Sequence, residues 1–153
     1  MTQKVKTVLF AAGLLLVGIM IGGYLFAKTQ ARSFLALHKC EQTCLRPNEL
    51  AGLIASVGIQ RFSALIPSVV METDKTIVME HPAPEARLHY LIIPKKDIKN
   101  IAEASEEDKE YLVDVFRVVS HIVKEQHLEQ YRVITNGPGY QSATYLHFHL
   151  TAQ

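Results

Sequence analysis

The chain is short of cysteine, carries no excess of either charge, and has neither an internal repeat nor a low-complexity tract in its 153 residues. Two cysteines cannot frame a disulfide-built miniprotein, nor supply a four-cysteine zinc site or a cysteine-ligated iron–sulfur cluster within one chain. Sixteen Lys and Arg against fifteen Asp and Glu leave a net charge of +1, which argues against a nucleic-acid binder that lives on phosphate attraction. A hydrophobic share of 48% excludes general disorder, and the length suits one domain with an accessory segment.

Charge is missing altogether from Thr7 to Ala27, a run of 21 mostly aliphatic residues. As a helix it spans roughly 30 Å, the thickness of a bilayer's hydrocarbon core. A signal peptide is the rival reading, with Lys4 and Lys6 as its basic start and Ala31 ending a cleavage site. The run exceeds the usual apolar region of a signal, about 7–15 residues, so we read residues 1–6 as a basic tail and 7–27 as a retained transmembrane anchor. Positive charge is nearly balanced across it, with the short N-tail favouring an inside amino terminus and a domain on the non-cytoplasmic side. Gly18 and Gly22 are either a close-packing pair or ordinary membrane glycines.

From Lys28 onward, 14 basic and 15 acidic side chains give a net charge of −1. Residues 28–66 read as a helical juxtamembrane linker: one helix over Gln30–Cys44, a break at Pro47, then a second helix capped by Asn48 with Leu50, Leu53, Ile54 and Val57 on one side. Cys40 and Cys44 read equally as a disulfide or as two thiols, with a partial metal site including His38 as a third possibility. Residues 67–153 form the main domain. Ser68–Glu72 and Thr76–Glu80 read as a hairpin, and Leu88–Ile93 as a strand ended by Pro94. Ser105-Glu106-Glu107-Asp108 opens a long helix whose Leu112, Val115, Phe116, Val119, Ile122 and Val123 face one way. Tyr131–Thr135 and Thr144–Thr151 close an α+β chain with an antiparallel sheet.

The last strand carries His147 and His149. Alternation places Tyr145, His147 and His149 on one face, with the two imidazoles roughly 6.5–7 Å apart along the strand. Such a pair can attack a phosphorus atom with one ring and contact its oxygens with the other. Two solvent-facing histidines are the plain alternative, and zinc binding with His81 or His89 joining is a weaker one. His89 alone reads as a satisfied half-buried histidine, and His121 and His127 as surface residues.

Leu88–Ile101 (LHYLIIPKKDIKNI), the turn at Asn136, Gln141-Ser142 and the His-x-His pair together resemble the histidine-triad family. The match is nearest its small purine-nucleoside phosphoramidase branch and extends over Val69 to Ala152. The family pattern is His-x-His-x-His, and here Tyr145 stands at its first position. The resemblance implies a five-stranded antiparallel sheet with flanking helices, paired into a homodimer. It implies that His147 is the nucleophile, that His149 contacts the α-phosphate and that Ser142 assists the leaving group. Asn136, Gly139, Gln141 and Tyr145 would line the substrate site, and the acidic hairpin Glu72–Asp74 would lie near the ribose. No metal or cofactor is implied. The activity expected is hydrolysis or transfer at the α-phosphorus of a nucleotide derivative through a nucleotidyl-histidine. The alternatives are a CDP-diacylglycerol-type pyrophosphatase, for which an anchor raises substrate concentration, and a non-catalytic nucleotide-binding module.

Overall fold

The computed structural model describes residues 2–35 and 44–153. Helix α1 (Gln3–Phe26) is apolar on all sides, has no buried residue, and is long and apolar enough to cross a membrane. The helix expected next does not form over its described part. Residues 30–35 are not helical, and Leu35 makes an isolated bridge to Leu45. Tertiary bonds take the place of a helical ladder here. The Gln30 N–H donates to Asp97 Oδ2 and its side-chain amide to the Asp97 carbonyl, both at 2.8 Å. Arg32 forks onto the same carboxylate with two bonds of 2.6 Å. Cys44 is disulfide-bonded; Cys40 and His38 lie outside the described residues.

Pro47 opens a helix rather than breaking one. It is the first residue of α2 (Pro47–Arg61), where a missing N–H leaves nothing unsatisfied, and Arg46 rather than Asn48 holds the N-cap position. The buried face of α2 is Gly52, Ser56 and Ile59, whereas Ile54 is 65% exposed, so the expected Leu50–Val57 stripe is not what packs. Small residues prevail because α2 lies against main chain: a Cβ on Gly52 would stand 2.6 Å from the Thr144 carbonyl oxygen.

The remainder is a five-stranded sheet of β1 (Val69–Glu72), β2 (Thr76–Glu80), β3 (Leu88–Pro94), β4 (Tyr131–Thr135) and β5 (Phe148–Ala152). Every neighbouring pair is antiparallel, in the order β1-β2-β3-β5-β4. Ser105 and Asp108 form the expected capping box, which starts a 3-10 turn that runs into α3 (Lys109–Glu125). Val115, Val118, Val119 and Ile122 of α3 pack on Val78, Ile92, Phe148 and Leu150. Phe116, expected inside, is 54% exposed and touches Phe148 edge-on from the rim. The second core cluster, Ile59, Ile77, Ile93 and Tyr145, joins α2 to the sheet.

The final strand starts at Phe148, four residues later than expected. Thr144 and Leu146 send their N–H groups to Asn48 and Ile98 rather than to a neighbouring strand, at 3.0 and 2.6 Å. His147 therefore stands on a loop fixed from two sides at the mouth of β5.

Candidate active site

Strand β5 lies between β3 and β4, and its alternation sends Phe148, Leu150 and Ala152 into the α3 core. His149 points to the opposite face, opposite Leu91 on β3 and Ile134 on β4. His89 is paired with Thr151, so it is the diagonal neighbour of His149 on that face. The result is a histidine cluster, with ring centroids 5.0 Å apart for His147 and His149 and 5.2 Å for His89 and His149.

The protons on these rings follow from their partners. His147 Nδ1 is 2.7 Å from the Tyr145 carbonyl oxygen. A carbonyl only accepts, so Nδ1 carries the hydrogen and Nε2 of the neutral ring keeps its lone pair. Thr135 Oγ1 donates to the His147 carbonyl at 2.8 Å and holds that residue's main chain. His89 Nδ1 accepts from the Glu85 N–H at 3.3 Å, which leaves the proton on Nε2 to donate to His149 Nδ1 at 2.9 Å. His149 consequently carries its own proton on Nε2, which lies 3.5 Å from Asn136 Nδ2, so this tautomer calls for a half-turn of the Asn136 amide that brings its oxygen to the ring.

Charge is kept off two of these rings, His149 and His89. Burial, with His147, His89 and His81 nearby, lowers the His149 pKa from 6.5 to about 4, and burial likewise lowers that of His89. His149 is thus a neutral donor at neutral pH.

A cavity of about 550 Å³ opens in front of His147 and His149. Asn136, Ser142 and Tyr140 form its polar rim, and Ile54, Ile59, Ile66 and Ile93 its apolar wall. The fold thus brings His147, His149, Ser142 and Asn136 together. It does not bring Gly139 or Gln141 to this wall. Gly139 is exposed in a turn closed by the Tyr140 N–H on the Gly137 carbonyl, and Gln141 is buried with its amide donating to the Lys99 carbonyl at 3.1 Å. Tyr145 forms part of the cavity wall but is only 2% exposed, and its hydroxyl is turned away onto the Pro94 and Lys95 carbonyls. Glu72 is also elsewhere, paired with Lys95 at 2.8 Å and Ser63. The acidic hairpin is a structural turn in which Thr73 binds Asp114.

A family model described as the scavenger mRNA decapping enzyme C-term binding family matches residues 64–153. An uncharacterized HIT-like protein of Synechococcus elongatus is 38% identical over 85 residues, covering 54% of this chain and 75% of its own. The chain belongs to the histidine-triad (HIT) family. Among solved structures, a HIT family hydrolase from Clostridium thermocellum superposes with a TM-score of 0.57 at 28% identity, over 63% of this chain and 89% of that one. A histidine triad protein from Clostridium difficile gives 0.56 at 26%, over 63% and 89%.

The reading from sequence missed the support beneath this HIT site. Arg32 and Asp97 form an ion pair with both side chains 1% exposed. Arg32 Nη2 also donates to the Thr144 carbonyl at 2.8 Å, and Ser56 Oγ donates to Asp97 at 2.8 Å. Arg32, Ser56 and Gln30 all precede residue 64, where the family match begins, and no local motif marks any of them. His81 was also undervalued: its ring stacks on His89 at 4.0 Å, nearly parallel.

Proposed function

We propose that this HIT chain is a membrane-anchored hydrolase or transferase of nucleotide conjugates, acting at the α-phosphorus with His147 as nucleophile. One observation carries the reading: the Tyr145 carbonyl holds the proton on His147 Nδ1 and leaves the Nε2 lone pair free, beside a neutral donor on His149. Nε2 forms the bond to phosphorus while the bond from phosphorus to the leaving group breaks. The positive charge arriving on the His147 ring is shared with the Tyr145 carbonyl through Nδ1–H. His149 Nε2–H donates to a phosphoryl oxygen, and the Ser142 hydroxyl relays a proton from solvent water to the leaving atom, keeping its own hydroxyl form. Water then cleaves the nucleotidyl-histidine and restores the ring. The LIIPKK strand and Gln141-Ser142 favour a purine nucleoside phosphoramidate as substrate.

Retention of α1 as an anchor is supported by Gln30, whose two bonds to Asp97 would be lost on cleavage after Ala31. The disulfide at Cys44 favours an oxidising, non-cytoplasmic compartment. A homodimer remains part of the reading, as the family resemblance implies. A lipid-linked nucleotide is the second substrate considered, favoured by the apolar α2 wall and by Arg61 of α2 stacking over Tyr24 of α1 at 4.2 Å.

The test is turnover by the full chain in detergent micelles, beside His147→Ala, with adenosine 5′-phosphoramidate, a dinucleoside polyphosphate and CDP-diacylglycerol. Cleavage of a soluble nucleotide that vanishes in the variant supports the first reading, and cleavage of the lipid alone selects the second. Nucleotide binding with no turnover of any of the three overturns both in favour of a binding module.

A further inference from the structure

His81, His89 and His149 come from three separate places in the chain: the residue after β2, the start of β3, and β5. One ring nitrogen from each lies within 4.8 Å of the others. The geometry points to a divalent-cation site on these three imidazoles, of the kind that takes zinc, separate from the nucleophile His147.

The donor set suits such an ion. Three imidazoles with a fourth position open match the preference of zinc for nitrogen ligands in tetrahedral geometry. Nitrogens at about 2.0–2.1 Å from a tetrahedral zinc lie roughly 3.3 Å from one another. His89 Nε2 and His149 Nδ1 are already 2.9 Å apart, so that pair needs to open by only a few tenths of an ångström. His81 is the adjustable member. Its ring is parallel to His89 within 4°, so it must tilt to aim a lone pair at the same ion, and its Nδ1 is held only by Ala83 of its own loop.

Protons balance without release. The hydrogen that His89 Nε2 now donates moves to His89 Nδ1, which gives up the long 3.3 Å bond from the Glu85 N–H. His149 keeps its Nε2 hydrogen while Nδ1 takes the ion, so the face it turns to Asn136 is unchanged. A second cavity of about 590 Å³, lined by His81, Glu85, His89, Asn136 and His149, gives access from solvent, and the Glu85 side chain supplies negative charge near the ion. His147 is not among the three: its Nδ1 is committed to the Tyr145 carbonyl.

The probe is Zn2+ or Co2+ alone, added to metal-stripped full chain in detergent micelles. Affinity is read against a chromophoric chelator, and coordination from the visible bands of bound Co2+. One ion per chain is expected, with His81→Ala and His89→Ala each weakening binding by roughly tenfold or more. His147→Ala should bind as tightly as the parent, although the proposed chemistry loses its nucleophile, so a failed nucleotide assay and a failed metal site are separate results. His81→Ala changes a loop residue and guards against a folding artefact at His89. No uptake by the parent chain, or unchanged affinity in both variants, or loss in His147→Ala, overturns the site.

Discussion

The Tyr145 hydroxyl lies 3.0 Å from two carbonyl oxygens, those of Pro94 and Lys95, and so ties the loop before β5 to the end of β3. Tyr145 is therefore a strut, and its contact with His147 runs through main chain. Tyr145→Phe is expected to lower the unfolding free energy by about 1–2 kcal/mol, the worth of a buried hydrogen bond whose acceptors lose their donor. Turnover should remain close to that of the parent, because the carbonyl that orients His147 is untouched. Thermal unfolding and the nucleotide assay on the same sample check both halves.

Gly52 and Gly58 lie on one helix and should respond in opposite directions. A Cβ on Gly52 would meet the Thr144 carbonyl at 2.6 Å and Arg32 Nε at 2.9 Å, so Gly52→Ala must push α2 off the loop that carries His147. Loss of stability by about 1–3 kcal/mol is expected. Gly58 has nothing within 4 Å of its added carbon, and Gly58→Ala should raise stability by about 1 kcal/mol through helix propensity. Paired denaturant titrations decide it, and equal effects at the two positions would contradict the packing described.

Arg32→Ala leaves the Asp97 carboxylate buried with a missing partner. Breaking such a pair costs about 3–5 kcal/mol, far more than any surface ion pair. Lys75→Ala, which breaks the exposed contact with Glu110 at 3.4 Å, is the comparison and should cost less than about 1 kcal/mol. The measurement is the shift in denaturant midpoint for each.

Acid should weaken the fold before the carboxylates titrate. The unfolded chain protonates His149 as the pH drops through 6.5, whereas the folded chain resists until about 4. The unfolded state therefore binds more protons in this window, so stability is full above pH 6.5 and falls towards pH 4. The shift is worth up to about 3 kcal/mol, reduced to roughly 1–2 by solvent at the cavity mouth. His89, lowered in the same direction, adds to it. Denaturant titrations across this range should show the slope, and His149→Gln should flatten it.

Strands and the long helix were legible because their signals are local. The Thr73-Asp74-Lys75 turn between two β-branched runs and the Ser105 capping box each contain their own cause, and β1, β2 and α3 follow from them. Two departures occur where distant parts of the chain intervene. Thr144 bonds to Asn48 across 96 residues, which keeps residues 144–147 out of the strand that their alternation suggests. Gln30 bonds to Asp97 across 67 residues and abolishes a helix that composition favours. His149 on β5 and His147 on the loop before it both line the cavity, although alternation along one strand is not what places His147. The register of β3 against β5 is what brings His89 to His149, and a single strand does not encode it.

Three residues, Ala27 to Thr29, separate the end of α1 from Gln30. Since Gln30 and Arg32 are both clamped to Asp97, the domain hangs on no slack leash: a turn of the long helix about its own axis swings the mouth of the histidine cavity through the same arc. Its height and heading are inherited from the helix. A spacer of a few glycines inserted at Thr29 would set the head free to tumble while leaving every atom of the histidine cavity in place.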